Sequence, residues 1–552
     1  MEHRTGNRKQ TNLILQGGIL AVALLLCAIL RLLCQTFLTN LWGDHGNGIY
    51  GAAYDVYFFA WLITSYAVPS VIVFLLKFRL RQKQYKNAGR IIQAAFLYTT
   101  LVGAGLGASL FFASSQLAGG LLQEPLAGLT MKVLAAALLL TAWNGVLRGF
   151  FLSNKAAFPV ALSLLFEQLV LFGVGFLLAG KLQGYGAKIG ALLLNEDFAL
   201  SFAASGFAGG ILAGAFASLL FLLLLYLVSH SYFKRKRGKD GGRRQESALQ
   251  AGGIFITCLG PFVLFAVFTR GQLFLEQVCF RQFIGSGLEQ KFISEQWGVF
   301  FGKYKLLAAL PVILSLCMTM PLREHVRGLY KKEDYQRLRD MVLTIFKAVM
   351  LLVIPLSVML GMLSEPLLEA MYHGQDNETA VMLLLCGFLM PVFMSVSYFM
   401  AEILLGMEKK ALLLLCSGIS FGVCGASLYI MLAVLHLDIF GVLYADILSA
   451  FCLCLTTVFA VQKNCRFRYG LLRSMVPSVI SAAVMGIVQY LSGKGLSGLL
   501  PPIVLCIVLF LLGGVFYLVL LLLLHGVTAR ELKLVPGGGL VLKAARALRL
   551  PV

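Results

Sequence analysis

The chain has 552 residues, of which 59% are hydrophobic and 13% charged, with 46 Lys and Arg against 25 Asp and Glu and a formal net charge of +21. With a mean hydropathy of +0.85, that balance excludes an ordinary water-soluble globule and marks an all-α integral membrane protein. The positive excess would suit nucleic acid on a soluble surface, but a membrane chain gathers Lys and Arg on its cytoplasmic side, so position decides and no nucleic-acid partner is expected.

A helix needs about 20 apolar residues to cross roughly 30 Å of hydrocarbon, and about fourteen such stretches follow one another. They span 13–35, 50–76, 91–115, 128–150, 158–180, 207–229, 251–279, 297–320, 341–363, 380–406, 411–435, 440–462, 475–493 and 501–525. The first is too long for a removable signal peptide and no small-residue cleavage site follows it. Alternate connections are basic: Arg4 to Lys9, Lys77 to Arg90, Lys234 to Arg244, Arg323 to Arg339, Lys409 and Lys410, Lys463 to Arg473, and the tail from Arg530. The intervening ones carry Asp44, Glu124, Glu196, Asp197, Glu365, Glu369, Asp376, Glu378 and Asp438. The alternation predicts both termini in the cytoplasm, with anionic lipid head groups as secondary partners.

The basic, Gly-containing stretch 234–250 divides an N-lobe (1–233, helices 1–6) from a C-lobe (251–463, helices 7–12). Helices 13–14 (464–525) and a tail (526–552) follow. The halves are weakly alike: 48-GIYGAAYDVY parallels 298-GVFFGKYKLL, and each is followed by a basic loop with a tyrosine, Tyr85 or Tyr335. Two facing six-helix bundles form a common transporter layout, with cargo bound near mid-membrane. The longest external connection is expected at about 181–206. Gly206, Gly210 and Gly214, spaced by four, predict a helix face that a second backbone approaches closely. The twelve cysteines lie mostly in apolar runs, where Cys acts as a small hydrophobe. No disulfide framework, metal site, nucleotide loop or catalytic set is expected, and the chain reads as a non-enzyme without a cofactor.

Ionisable groups inside spanning helices cost at least about 2.5–3.5 kcal/mol at the centre and are functional candidates by default. Glu167, followed by Gln168, lies about nine residues into the fifth segment, roughly 13 Å deep. It is expected either to line a wet cavity or to be structural, protonated or paired with Arg148 or a helix carbonyl. Pro159, near the start of that segment, is a candidate hinge. Arg31 on the first segment, Asp55 on the second, Arg270 and Glu276 on the seventh and Lys303 on the eighth complete the cavity candidates. They come from both halves, as a polar central cavity would require.

The stretches 16-QGGILAVA, 39-TNLWGDHGNGIY, 84-QYKNAGRI, 148-RGFF, Pro159, Glu167-Gln168, 296-QWGVFFGKYKLL and 525-HGVTARELKLVPGG resemble, in order and spacing, one branch of the multidrug/oligosaccharidyl-lipid/polysaccharide (MOP) exporter superfamily. That branch is the stage V sporulation protein B type, and the resemblance covers nearly the whole chain. It implies a fourteen-helix, two-lobed flippase that exports lipid-linked sugars of the undecaprenyl diphosphate type, lipid II among them. Such a protein would act as a monomer in the bacterial cytoplasmic membrane, for cell-wall or polysaccharide synthesis. Its coupling ion is left open. Three basic positions common in that branch fall here on Ala28, Gln35 and Phe74, and the second-lobe proline that matches Pro159 falls on Leu413. An atypical cargo is one consequence of those losses. A drug or cation antiporter of the same superfamily and a non-transporting envelope-assembly scaffold are the alternatives.

Overall fold

The computed structural model describes residues 2–237, 245–285, 289–319, 322–465, 470–496 and 498–527. In hydrocarbon every backbone N–H and C=O must be bonded within its own segment or a closed barrel. This chain takes the helical solution, and its elements are all α- and π-helices among the described residues. The linker between 238 and 244, the tail from 528 and most of the motif at 525–538 lie outside them.

Helix α1 (Glu2–Trp61) breaks at Gly43, whose φ of 69° and ψ of −171° only glycine adopts readily. Gln35 Nε2 donates to Asn47 Oδ1 at 2.8 Å, and Asn47 Nδ2 donates to Thr39 Oγ1 at 2.8 Å. On a straight helix Gln35 and Asn47 would lie about 18 Å apart. The chain therefore folds back at Gly43, and the first two expected crossings form a hairpin. Its second arm passes through a π-helical turn, Leu62–Tyr66, into α2 (Val68–Arg81).

Helices α3 (Tyr85–Gln116), α4 (Ala127–Ser153), α5 (Ala157–Leu193) and α6 (Phe198–Arg237) complete the first half. The expected external connection at 181–206 is not a loop, because α5 and α6 run for 37 and 40 residues with only a short turn between them. Glycines hold them together. A Cβ on Gly210 would fall 2.3 Å from Gly175 Cα, one on Gly206 2.6 Å from the Leu178 carbonyl, and one on Gly214 2.7 Å from that of Glu167. The same contact continues toward the ends of both helices, where a Cβ on Gly186 would fall 2.7 Å from the Phe198 carbonyl and one on Gly190 2.6 Å from that of Asn195.

The second half begins with α7 (Ala248–Arg270), opened by a capping box between Ser247 and Gln250. Then come α8 (Gln272–Ile284), α9 (Gln290–Val299), a π turn at Phe300–Tyr304, α10 (Lys305–Thr319), α11 (Leu322–Lys331), α12 (Tyr335–Met362) and α13 (Ser364–Met371). Helices α14 (Glu378–Gly387) and α15 (Met390–Gly406) meet at a 46° bend and together are long and apolar enough for one span. α16 (Lys410–Leu428), α17 (Asp438–Cys465), α18 (Gly470–Leu496) and α19 (Pro502–Leu523) finish the chain. Among the described residues twelve helices are long and apolar enough to cross a membrane, or thirteen if that bent pair is one span. One of the twelve, Gly18–Arg81, is the 64-residue hairpin of two crossings, which restores the expected number.

The repeat is visible in the turns. Lys83 and Glu333 both have φ of 57°, and Lys155 and Glu408 both have φ of 63°. Each follows a helix, and in each the next N–H reaches five residues back: Gln84 to Arg79, Asp334 to Leu329, Ala156 to Phe151 and Lys409 to Leu404. These are helix-terminating left-handed caps, repeated after about 250 residues.

Packing divides the chain into two units, Met1–Gly302 with Lys410–Ser449, and Lys303–Lys409 with Ala450–Val552. The division does not fall at the linker 234–250. Its physical reason is the approach of α9 to α1. A Cβ on Gly298 would lie 1.8 Å from the Asp44 carbonyl, and one on Gly48 1.9 Å from that of Ser294. The two glycines that open the matched repeat motifs thus pack backbone to backbone within the first unit.

Candidate functional site

Glu167 is held by Arg148, and the two side chains are 18% and 16% exposed. The Arg148 guanidinium also donates to Ser163 Oγ at 3.2 Å and to Ser218 Oγ at 2.9 Å. Helices α4, α5 and α6 are tied by one cation, so the carboxylate is neutralised where hydrocarbon would otherwise exclude it. Gln168 beside it is half-buried. Pro159 sits in the first turn of α5, where a missing N–H breaks no helical bond, and α5 runs on to Leu193 without interruption.

Asp55 is fully buried and accepts from Trp297 Nε1 at 3.1 Å. Nearby, Arg281 is 0% exposed and donates to Glu124 Oε2 and to the carbonyls of Leu122 and Gly48, each at 3.3 Å. Glu276, one turn earlier on α8, is also fully buried. Asp55 therefore belongs to a buried polar layer joining α1, the turn before α4, α8 and α9. Lys303 lies in the other unit, fully buried, with its ammonium 2.9 Å from Asn377 Oδ1 and 5.1 Å from the centre of the Tyr372 ring.

Arg31 and Arg270 are placed differently. Arg31 is exposed and its guanidinium stands 5.0 Å over the Tyr54 ring. Arg270, half-buried in the last turn of α7, stands 5.0 Å over the Tyr66 ring. Between them run Phe58 and Trp61, so that one face of the second crossing carries four aromatic rings with a cation at each end. The aromatic ring face is electron-rich and attracts a cation there.

The positions where the resemblance implies further basic residues have other work. Ala28 is half-buried on the first arm of α1. Gln35 is buried in the hairpin clasp with Asn47. Phe74 has the Lys410 ammonium 4.3 Å over its ring, so a cation from α16 stands beside the position where a lysine is absent. In the second unit α12, α14, α15 and α18 line a groove of about 640 Å³ whose walls include Val358, Met362, Phe388, Val392, Val479 and Ile487 and are apolar apart from Tyr490.

Sequence reasoning singled out Arg31 and Arg270 but not the rings between them. The spacing of Tyr54, Phe58 and Trp61 was a visible helical stripe, whereas Tyr66 joins it only through the π turn. Glu124 and Arg281 are 157 residues apart, and no local pattern links them.

No protein-family model matches the chain. The uncharacterized membrane protein YabM of Bacillus subtilis is 28% identical over 241 residues, and the match covers 43% of this chain and 40% of that protein, less than half the length of either. Among solved structures, lipid II flippase MurJ in an inward closed conformation has a TM-score of 0.64 at 12% identity, covering 91% of this chain and 97% of that one. An inward-facing multidrug resistance transporter of the MATE family has 0.63 at 12% identity, covering 81% and 98%, and an outward-facing one has 0.59 at 13%, covering 82% and 95%. With its paired helix caps and its many apolar helices among the described residues, this chain is a multi-pass membrane protein with the fold shared by these transporter structures.

Proposed function

We propose that the protein is an alternating-access flippase that exports a polyprenyl-diphosphate-linked oligosaccharide or lipid II precursor across the cytoplasmic membrane. The observation that carries the reading is the sorting of charge in the first unit. Asp55, Glu124 and Glu167 are each held by a donor inside the protein, and Glu276 is fully buried. Arg31 and Arg270 stand over the first and last rings of the aromatic face. A site presenting guanidinium groups suits a diphosphate, to which arginine donates in a two-pronged geometry. Carrying such a head group unaided through hydrocarbon is prohibitively costly. The apolar groove of the second unit has the chemistry to receive a prenyl chain.

A drug or cation antiporter is the second reading, since the MATE structures match the fold almost as well as the flippase does. That function calls for carboxylates facing the cargo, and the charge sorting favours the anionic one. The basic connections at Arg79 to Arg90 and Arg323 to Arg339 support a cytoplasmic placement of that side.

Expression in a bacterium depleted of its own lipid II flippases tests the proposal. Rescue of growth by the wild-type chain, lost on Arg31→Ala with Arg270→Ala, is the expected result. Failure to rescue with normal membrane insertion would exclude lipid II as the cargo.

A further inference from the structure

The stripe on the second crossing has a specific geometry. The Tyr54 and Phe58 rings are 6.1 Å apart with planes 17° from parallel, Phe58 and Trp61 are 5.6 Å apart at 21°, and Trp61 and Tyr66 are 5.5 Å apart at 60°. All four are half-buried, while Val56, Tyr57 and Leu62 on the other faces are buried in the core. The face is set apart from other half-covered aromatic surface by its near-parallel neighbouring rings and by the guanidinium groups over its first and last rings.

On an unbroken α-helix the residue four after Trp61, Ser65, would take the next place in the stripe. The π turn at Leu62–Tyr66 adds one residue to that turn. Ser65 is thereby turned inward, 3.4 Å from Thr141 Oγ1, and the place passes to Tyr66 beneath Arg270. A π turn inside a helix is uncommon and tends to mark function. Here its effect is to lengthen an aromatic surface by one ring and bring it to a second cation.

We propose that Tyr54, Phe58, Trp61 and Tyr66 form a binding track for the sugar rings of an anionic glycolipid head group, with Arg31 and Arg270 holding its charged groups. The assignment rests on the lipid-linked glycan reading above. One face of a pyranose ring presents C–H groups with partial positive charge, which complement the electron-rich face of an aromatic ring. Such contacts are made with few directed hydrogen bonds, so sugar rings can exchange places along the stripe during transport. From Tyr54 to Tyr66 the track is about 18 Å long, at 1.5 Å per residue, enough for several sugar rings in sequence.

The test compares two lipids that share a tail and a diphosphate and differ in the glycan: a polyprenyl diphosphate, and the same lipid carrying a disaccharide. Binding to the full-length protein in nanodiscs is measured for wild type, Trp61→Leu, Phe58→Leu and the conservative Trp61→Phe. The glycan-bearing lipid is expected to bind the wild type more tightly, and each leucine variant to lose on the order of tenfold for that lipid alone, a loss in the range of one aromatic contact. Trp61→Phe keeps a ring face and is expected to retain most of the affinity. A folding defect would weaken both lipids together, so the difference between them isolates the track. Equal losses for both lipids in leucine variants whose melting temperature matches the wild type, or no loss for either, would remove the track while leaving the diphosphate reading intact. Absence of binding by the wild type to both would overturn the reading and the track with it.

Discussion

Removing Glu167 leaves the Arg148 guanidinium with only the hydroxyls of Ser163 and Ser218 in a site 16% exposed. A buried cation that loses its partner costs about 3–5 kcal/mol, and the two remaining hydrogen bonds reduce that to an expected 2–3 kcal/mol for Glu167→Leu. Arg148→Met leaves the carboxylate orphaned and should cost a similar amount. Replacing both removes the penalty of the orphaned charge, so the double variant should be less destabilised than the two single losses imply, with a coupling of about 2 kcal/mol. The assay is reversible unfolding in mixed micelles, carried through the full double-mutant cycle. Additive losses, with a coupling below about 0.5 kcal/mol, would refute the claim that the pair exists to neutralise Glu167. A double variant with restored stability but no transport would show that the pair also serves the cargo.

Other expectations follow from single contacts. Gly298→Ala would set a methyl 1.8 Å from the Asp44 carbonyl, so its folded yield should collapse, whereas Gly422→Ala, with nothing within 4 Å, should be tolerated; equal yields would refute the backbone contact of α1 with α9. Glu408, bonded by Arg327 and next to Lys331, has its pKa held below the ordinary glutamate value of 4.5. A lowered carboxylate pKa contributes stability above the unfolded value that is lost as pH falls through the folded one. Glu408→Gln should therefore lower the melting temperature at pH 7 and make little difference well below pH 4.5; a difference that persisted in acid would show that the clasp is not electrostatic. Lys410→Met should weaken capture of a polyprenyl diphosphate if the cation beside Phe74 serves the cargo, and unchanged capture would assign it to packing.

The crossings and the repeat were legible in the sequence because apolar length and matched motifs are local properties. So was the choice set for Glu167, since Arg148 opens the same stretch and was named as a partner. The α5–α6 extension was not, even though Gly186 and Gly190 continue the four-residue spacing of Gly206, Gly210 and Gly214. Lys181, Lys188 and the glycines between them lower the hydropathy there, and a hydropathy reading takes such a segment for a loop. A glycine contact that sustains two helices toward their ends is visible only when both are seen together. Pairings such as Glu124 with Arg281, or Asp55 with Trp297, join distant segments and depend on the assembled fold. Tyr66 was hidden for a third reason, a helical register shifted by one residue.

The most direct test of the transport reading is translocation by the purified protein in liposomes, followed with a fluorescent polyprenyl-diphosphate oligosaccharide whose outer-leaflet fraction is destroyed by a membrane-impermeant reductant. Wild-type protein is expected to expose the inner-leaflet fraction at a rate that falls at least tenfold on Arg31→Ala with Arg270→Ala, a loss of about 1.4 kcal/mol or more. Protein that leaves the lipid in place but carries an organic cation across the same liposomes would contradict the account and establish the antiporter instead.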